Sequence, residues 1–161
     1  MKNLIVIIAL CVPMVLFARL GETVEEIQKR YGGPIATNKV SELEARTYHF
    51  KDYSVQVAFK NNKSVREEIT PRPVRFMSGA ECLGLIEGVA GKGKWETDTK
   101  EVLGDIVRRW VCFDLKSRAD QFSSEGPLVI ANADYFDHAS AVVQHNTVHQ
   151  AEADKKKADG F

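Results

Sequence analysis

This chain has no excess of either charge: 22 lysines and arginines stand against 22 aspartates and glutamates. Such a balance leaves no electrostatic footprint for a polyanion, so nucleic acid and an anionic bilayer are excluded as partners held by charge. No Gly-x-Ser-x-Gly elbow occurs, which removes the usual setting of a nucleophilic serine. The run Gly88-x-x-x-x-Gly93-Lys94 begins like a phosphate loop, but Trp95 stands where a Ser or Thr must hold magnesium. It also follows a helical pattern rather than a strand, so nucleotide binding is excluded. Cysteine is scarce, three in all. Cys82 and Cys112 both sit in apolar patterns, which would raise their pKa and silence them as nucleophiles. His145 and His149 are four apart, but Asn146 occupies the place where a metalloprotease helix carries Glu. The carboxylate neighbours Glu25-Glu26 and Glu67-Glu68 point to different faces and make no acid–base couple. No catalytic, cofactor-binding or metal-binding residue is assigned, and no enzyme is expected.

What is present begins with Leu4 to Ala18, an unbroken apolar run behind Lys2. At about 15 residues it is short for a membrane span and fits an export signal cleaved after Ala18. Cys11 lies inside this run behind Leu10, where a lipid-attachment box needs a small residue. Removal of residues 1–18 leaves a mature chain of about 140 residues, enough for one core, with no membrane span and a net charge near −1. Outside the cytosol Cys82 and Cys112 can form a disulfide; as small apolar side chains they can equally be buried unpaired.

Thr23 and Glu26 form a capping box, in which two helix-end amides are satisfied reciprocally, and Val24, Ile27 and Tyr31 then share one helical face. Gly32-Gly33-Pro34 ends that helix. A polar connection is expected from Ala36 to Glu44. The period then changes to two, with Tyr48 and Phe50 before a Lys51-Asp52 turn and Tyr53, Val55, Val57 and Phe59 after it. Asn61-Asn62 suits a tight hairpin, and Ser64 to Thr70 returns as a strand. Ser78 and Glu81 open a second unit about 55 residues on, with Cys82, Leu83, Ile86, Val89 and Ala90 on one stripe. Val107–Leu115 and Leu128–Ala133 read as strands, with a pairing partner near Gln121 and a polar, unpatterned segment over 96–105.

The expected fold is α+β, a tandem repeat of helix plus antiparallel β-meander with the helices on one sheet face. Its divisions are a signal at 1–18, units at 19–74 and 75–137, and a charged tail at 138–161. The alternation in the Tyr53–Phe59 strand leaves Ser54, Gln56 and Ala58 as a flat surface of small side chains. The Val107–Leu115 strand is apolar on both faces, Trp110 and Cys112 on one and Val111 and Phe113 on the other, so it is either central or presents one face to a partner. In the second case Trp110 joins Ser54 and Gln56 as the partner surface, because exposed Trp marks interaction sites.

The stretch Arg19-Leu20-Gly21-Glu22-Thr23 through Glu26-Ile27, then Tyr31-Gly32-Gly33-Pro34, resembles the opening of SmpA/OmlA-type outer-membrane assembly lipoprotein domains. The doubled unit is similar to the β-lactamase-inhibitor-protein-like fold, and the Gly160-Phe161 ending resembles that of other exported bacterial proteins. The resemblance implies a periplasmic or secreted, non-catalytic module that binds another envelope or secreted protein and needs no cofactor. The alternative is a secreted enzyme inhibitor that inserts the segment 96–105 into a partner's cleft, or a small enzyme.

Overall fold

The computed structural model describes residues 20–40, 42–102, 105–123, 125–132 and 135. The expected signal segment and the expected tail with His145 and His149 lie outside the described residues. In chain order the elements are α1 (Val24–Tyr31), β1 (Ala36–Val40), β2 (Leu43–Phe50), β3 (Tyr53–Lys60), β4 (Lys63–Pro71), α2 (Gly79–Ala90), β5 (Glu96–Val102), β6 (Asp105–Cys112), β7 (Ser117–Gln121) and β8 (Leu128–Asn132).

All eight strands join one antiparallel sheet in the order β1-β2-β3-β4-β8-β7-β6-β5. This corrects the expected tandem repeat of helix-plus-meander units. The joint is the pairing of β4 with β8, in register Glu67↔Ile130 and Ile69↔Leu128. Its physical reason lies in the strands themselves. β4 buries Val65, Glu67 and Ile69, and β8 buries Leu128, Ile130 and Ala131. Left as the edges of separate units, two such strands would expose unpaired backbone beside apolar side chains; joined, they form the centre of the sheet. The polar strands take the rims. The expected connection at 36–44 contains β1 and the start of β2, and the unpatterned segment 96–105 contains β5 and the first residue of β6. The inhibitor loop placed there is therefore a paired edge strand.

Both helices lie on one face of the sheet over a shared core. α1 contributes Val24, Ile27 and Tyr31 to it, and α2 contributes Cys82, Ile86 and Val89. A helix of 8 residues is marginal alone, so α1 depends on this packing and on its caps. The Thr23 capping box is complete: the Glu26 amide donates to Thr23 Oγ1 (3.3 Å) and the Thr23 amide to Glu26 Oε2 (2.8 Å). Gly32 closes the helix at φ 85°, a conformation that costs glycine little. Thr23→Ala is expected to lower stability by about 1 kcal/mol, read as a shift of the urea midpoint with unchanged slope. The second box is only half built. The Glu81 amide donates to Ser78 Oγ, but the Glu81 carboxylate turns away to Tyr53 and Arg75.

The alternation of β3 is as its sequence dictates: Val55, Val57 and Phe59 face the helices and are buried. A bulge at Ala58/Phe59 precedes the hairpin, where Asn61 and Asn62 hold positive φ (51° and 61°). Directly opposed residues then make a row across the helix-side face: Val57, Glu67, Ile130, Ala119 and Trp110.

Candidate interaction surface

The register places several connections at one end of the sheet. Tyr53 opposes Pro71, Leu128 opposes both Ile69 and Gln121, and Gln121 opposes Arg108. The Lys51-Asp52 turn, the strap from Arg72 to Ser78 and the segment after Gln121 therefore share that end.

The strap is tied down along its length. The Arg72 amide donates to the Asp52 carbonyl (2.7 Å). Met77 is fully buried, and Arg108 Nη1 donates to its carbonyl (3.1 Å). The Arg75 guanidinium forks onto both Glu81 oxygens (2.7 and 3.0 Å), while the Tyr53 hydroxyl donates to Glu81 Oε1 (2.7 Å). Arg75 and Tyr53 together hold the Glu81 carboxyl down at about 2. Burial, and then the Glu81 carboxylate, raise the Tyr53 phenol.

On this fixed strap the apolar side chains face water. Val74 is 66% exposed and Phe76 52%, with the Arg108 guanidinium 5.4 Å from the Phe76 ring centre. Phe122, at the end of β7, is 52% exposed. Arg72 is exposed beside Val74. The geometry is that of a rigid rim carrying aliphatic and aromatic contacts next to a cation. A further exposed aromatic, Phe113 (74%), stands at the opposite end, in the turn from β6 to β7.

The partner surface expected from sequence is not brought together. Trp110 is a core residue, 4% exposed, and sits on the helix side opposite Ala119, whose small side chain leaves room for the indole. Ser54 and Gln56 are half-buried on the other face, and their neighbour Ala58 is buried. That face is not a bare platform. It carries Arg66 paired with Glu68, and Asp120 held between Arg109 and Arg118. Of the two arrangements open to the cysteines, the structure has the unpaired one: Cys82 and Cys112 are both free and buried. Cys82 is in the first turn of α2 with its sulfur 3.6 Å from Gln121 Oε1. Cys112 lies beside Gly93, past the far end of that helix, where a Cβ would come within 2.6 Å of its sulfur. From Cys82 to the helix end is about 13 Å, beyond disulfide reach. Burial raises the Cys82 thiol, against a weaker pull from Arg108.

Gly88 lies within α2 and Gly93 beyond its end, so the phosphate-loop residues straddle a helix terminus. Among the described residues no three His, Cys, Asp or Glu side chains converge as metal ligands. Among them, too, no helix is long and apolar enough to cross a membrane. Sequence reasoning missed Val74, Phe76 and Phe122. The available signal was Val74 and Phe76 on either side of Arg75, directly after Pro71-Arg72-Pro73 and outside any periodic element.

Neither a protein-family model nor a curated protein matches the chain. Among solved structures it is similar to a cysteine-rich secretory protein from Staphylococcus aureus subsp. aureus Mu50, with a TM-score of 0.43 and 12% identity. The match covers 72% of this chain and 45% of that one, so the chain spans less than half the length of that protein.

Proposed function

We propose that this chain is an exported, non-catalytic binding module whose rim of Val74, Phe76 and Phe122 docks another envelope or secreted protein. The observation that supports the reading is the strap. Its backbone and its Arg75 and Met77 side chains are fixed, yet it turns Val74 and Phe76 outward. Apolar side chains held rigidly in water have little conformational entropy left to lose on binding, which favours an interface anchor. With Arg72 beside them, the complementary surface presents apolar side chains flanked by a carboxylate. Export rests on the leading apolar run and its Ala18 junction.

The test uses the chain without its leader, immobilised and presented with an envelope extract of its own source. Val74→Ser/Phe76→Ser/Phe122→Ser changes only exposed positions, so its melting temperature is expected to stay close to that of the parent. A partner retained by the parent is expected to fall at least about tenfold with this variant, since interface anchors cost over about 2 kcal/mol when truncated. Arg72→Glu is expected to weaken retention several-fold, and Phe113→Ser, at the far end, to leave it unchanged. Equal retention by parent and triple variant overturns the reading, as does a parent that self-associates through these residues and retains nothing else.

A further inference from the structure

The strap between β4 and α2 has an open backbone. From Val74 to Ser78 it runs without a turn or bend, and Ser78 is still extended at φ −70° and ψ 157°. Its side chains alternate as they do in a strand. Arg75 is held by Glu81 and Met77 is buried, whereas Val74 and Phe76 both face water. Among the described residues the amides of Val74, Arg75 and Phe76 find no acceptor, and the carbonyls of Val74 and Arg75 no donor. The Phe76 carbonyl accepts from Arg75 Nη1 (3.0 Å) and the Met77 carbonyl from Arg108 Nη1. In an extended chain the N–H and C=O of one residue share an edge, and successive residues use opposite edges. The edge of Val74 and Phe76 therefore offers both their amides and the Val74 carbonyl.

We propose that the strap pairs with an extended segment of the partner by strand addition, main chain to main chain along the edge of Val74 and Phe76. The proposal rests on the reading of these two side chains as docking residues and adds the form and chemistry of what docks there. Strand addition draws affinity from main-chain hydrogen bonds and selectivity from alternate side chains. A template that is already straight and tied down by Arg72, Arg75 and Met77 has little order left to gain. Val74 and Phe76 then make cross-strand pairs with apolar side chains two apart on the incoming segment. Among the described side chains at this end, Lys51, Arg72, Arg75 and Arg108 stand against Asp52, Glu81 and Glu125. Glu81 is already taken by Arg75 and Tyr53. The excess is cationic, so the positions between the apolar ones suit carboxylates. The occupant is an extended segment in which apolar and acidic residues alternate.

The probe is a capped peptide of four Val-Glu repeats, titrated into the chain without its leader and followed by amide–solvent exchange at each residue. In the complex the Val74 and Phe76 amides are expected to slow by at least about tenfold, while the Arg75 amide, on the other edge, keeps its rate. The same peptide with lysine in place of glutamate is expected to bind several-fold more weakly; equal binding overturns the acidic class of the occupant. A complex in which Val74 and Phe76 exchange at their free rates overturns strand addition and leaves the docking rim standing, since the rim needs side-chain contact alone. A peptide that shifts no resonance of the strap overturns it as well. Slowed exchange that survives in Val74→Ser/Phe76→Ser/Phe122→Ser keeps the pairing and overturns the rim instead, so the two readings fail separately.

Discussion

Trp110→Ala lowers the unfolding free energy by about 3–5 kcal/mol, the range for emptying a buried aromatic site. The indole is 4% exposed and belongs to the same core as Ile27 of α1 and Ile86 of α2. Its place at the end of the Val57-to-Trp110 row makes it the side chain that extends the core onto β6. Ala119 opposite cannot fill the vacated volume, and the paired strands on either side prevent collapse. The measurement is equilibrium denaturation by urea with far-ultraviolet dichroism as the signal. A loss under about 0.5 kcal/mol would put Trp110 on the surface, where truncation is nearly neutral. The experiment also separates core from interface: Trp110→Phe keeps most of the buried area, so it should restore most of the stability and leave partner retention at the Val74–Phe76 rim unchanged.

The sequence made the strongly patterned elements legible and hid those whose identity depends on neighbours. Tyr53–Lys60 alternates because one face is buried in the core under the helices, and that alternation survives in any register. The Thr23 box and the positive-φ asparagines are local chemistry, written within four residues. β1 and β5 carry polar runs, Ala36-Thr-Asn-Lys and Glu96-Thr-Asp-Thr, that look like loops because an edge strand needs backbone pairing on one side only. Nothing local says that β4 will pair with β8 rather than end a unit, since antiparallel partners separated by about 60 residues are chosen by fit and not by turn geometry. Trp110 was ambiguous for the same reason. Its strand carries apolar groups on both faces, and only the register with Ala119 assigns the indole to the core and leaves Val111 half-buried on the other side. The rim was hidden because Val74 and Phe76 have no period; exposure there results from Met77 and Arg75 being anchored between and beside them.

Asp120→Asn costs about 2–3 kcal/mol at neutral pH. Asp120 lies almost fully buried on the face away from the helices, accepting from Arg109 Nε (2.8 Å) and from Arg118 on its own strand (3.0 Å from Nε). Removing one member of a buried pair costs about 3–5 kcal/mol, and the partial exposure of the two guanidinium groups reduces that figure here. Burial alone would raise the Asp120 carboxyl, but Arg118 and Arg109 overcome it and hold the group below its ordinary 3.8. A depressed folded-state pKa means that this stabilisation is whole above the ordinary value and drains away as pH falls through the folded one. Glu67 has the opposite sign. Its raised folded-state pKa means that stability is lost as pH climbs from the ordinary 4.5 through about 7, a decline on the order of 3 kcal/mol. The two carboxylates, on opposite faces of one sheet, therefore bracket a stability maximum in the mildly acidic range, near pH 4–5. Thermal melts across pH should trace that dome. Asp120→Asn should flatten its acid limb and Glu67→Gln its alkaline limb, each leaving the other intact because the side chains share no partner. A parent whose melting temperature rises steadily from pH 5 to pH 8 would contradict the assignment of the alkaline limb to Glu67.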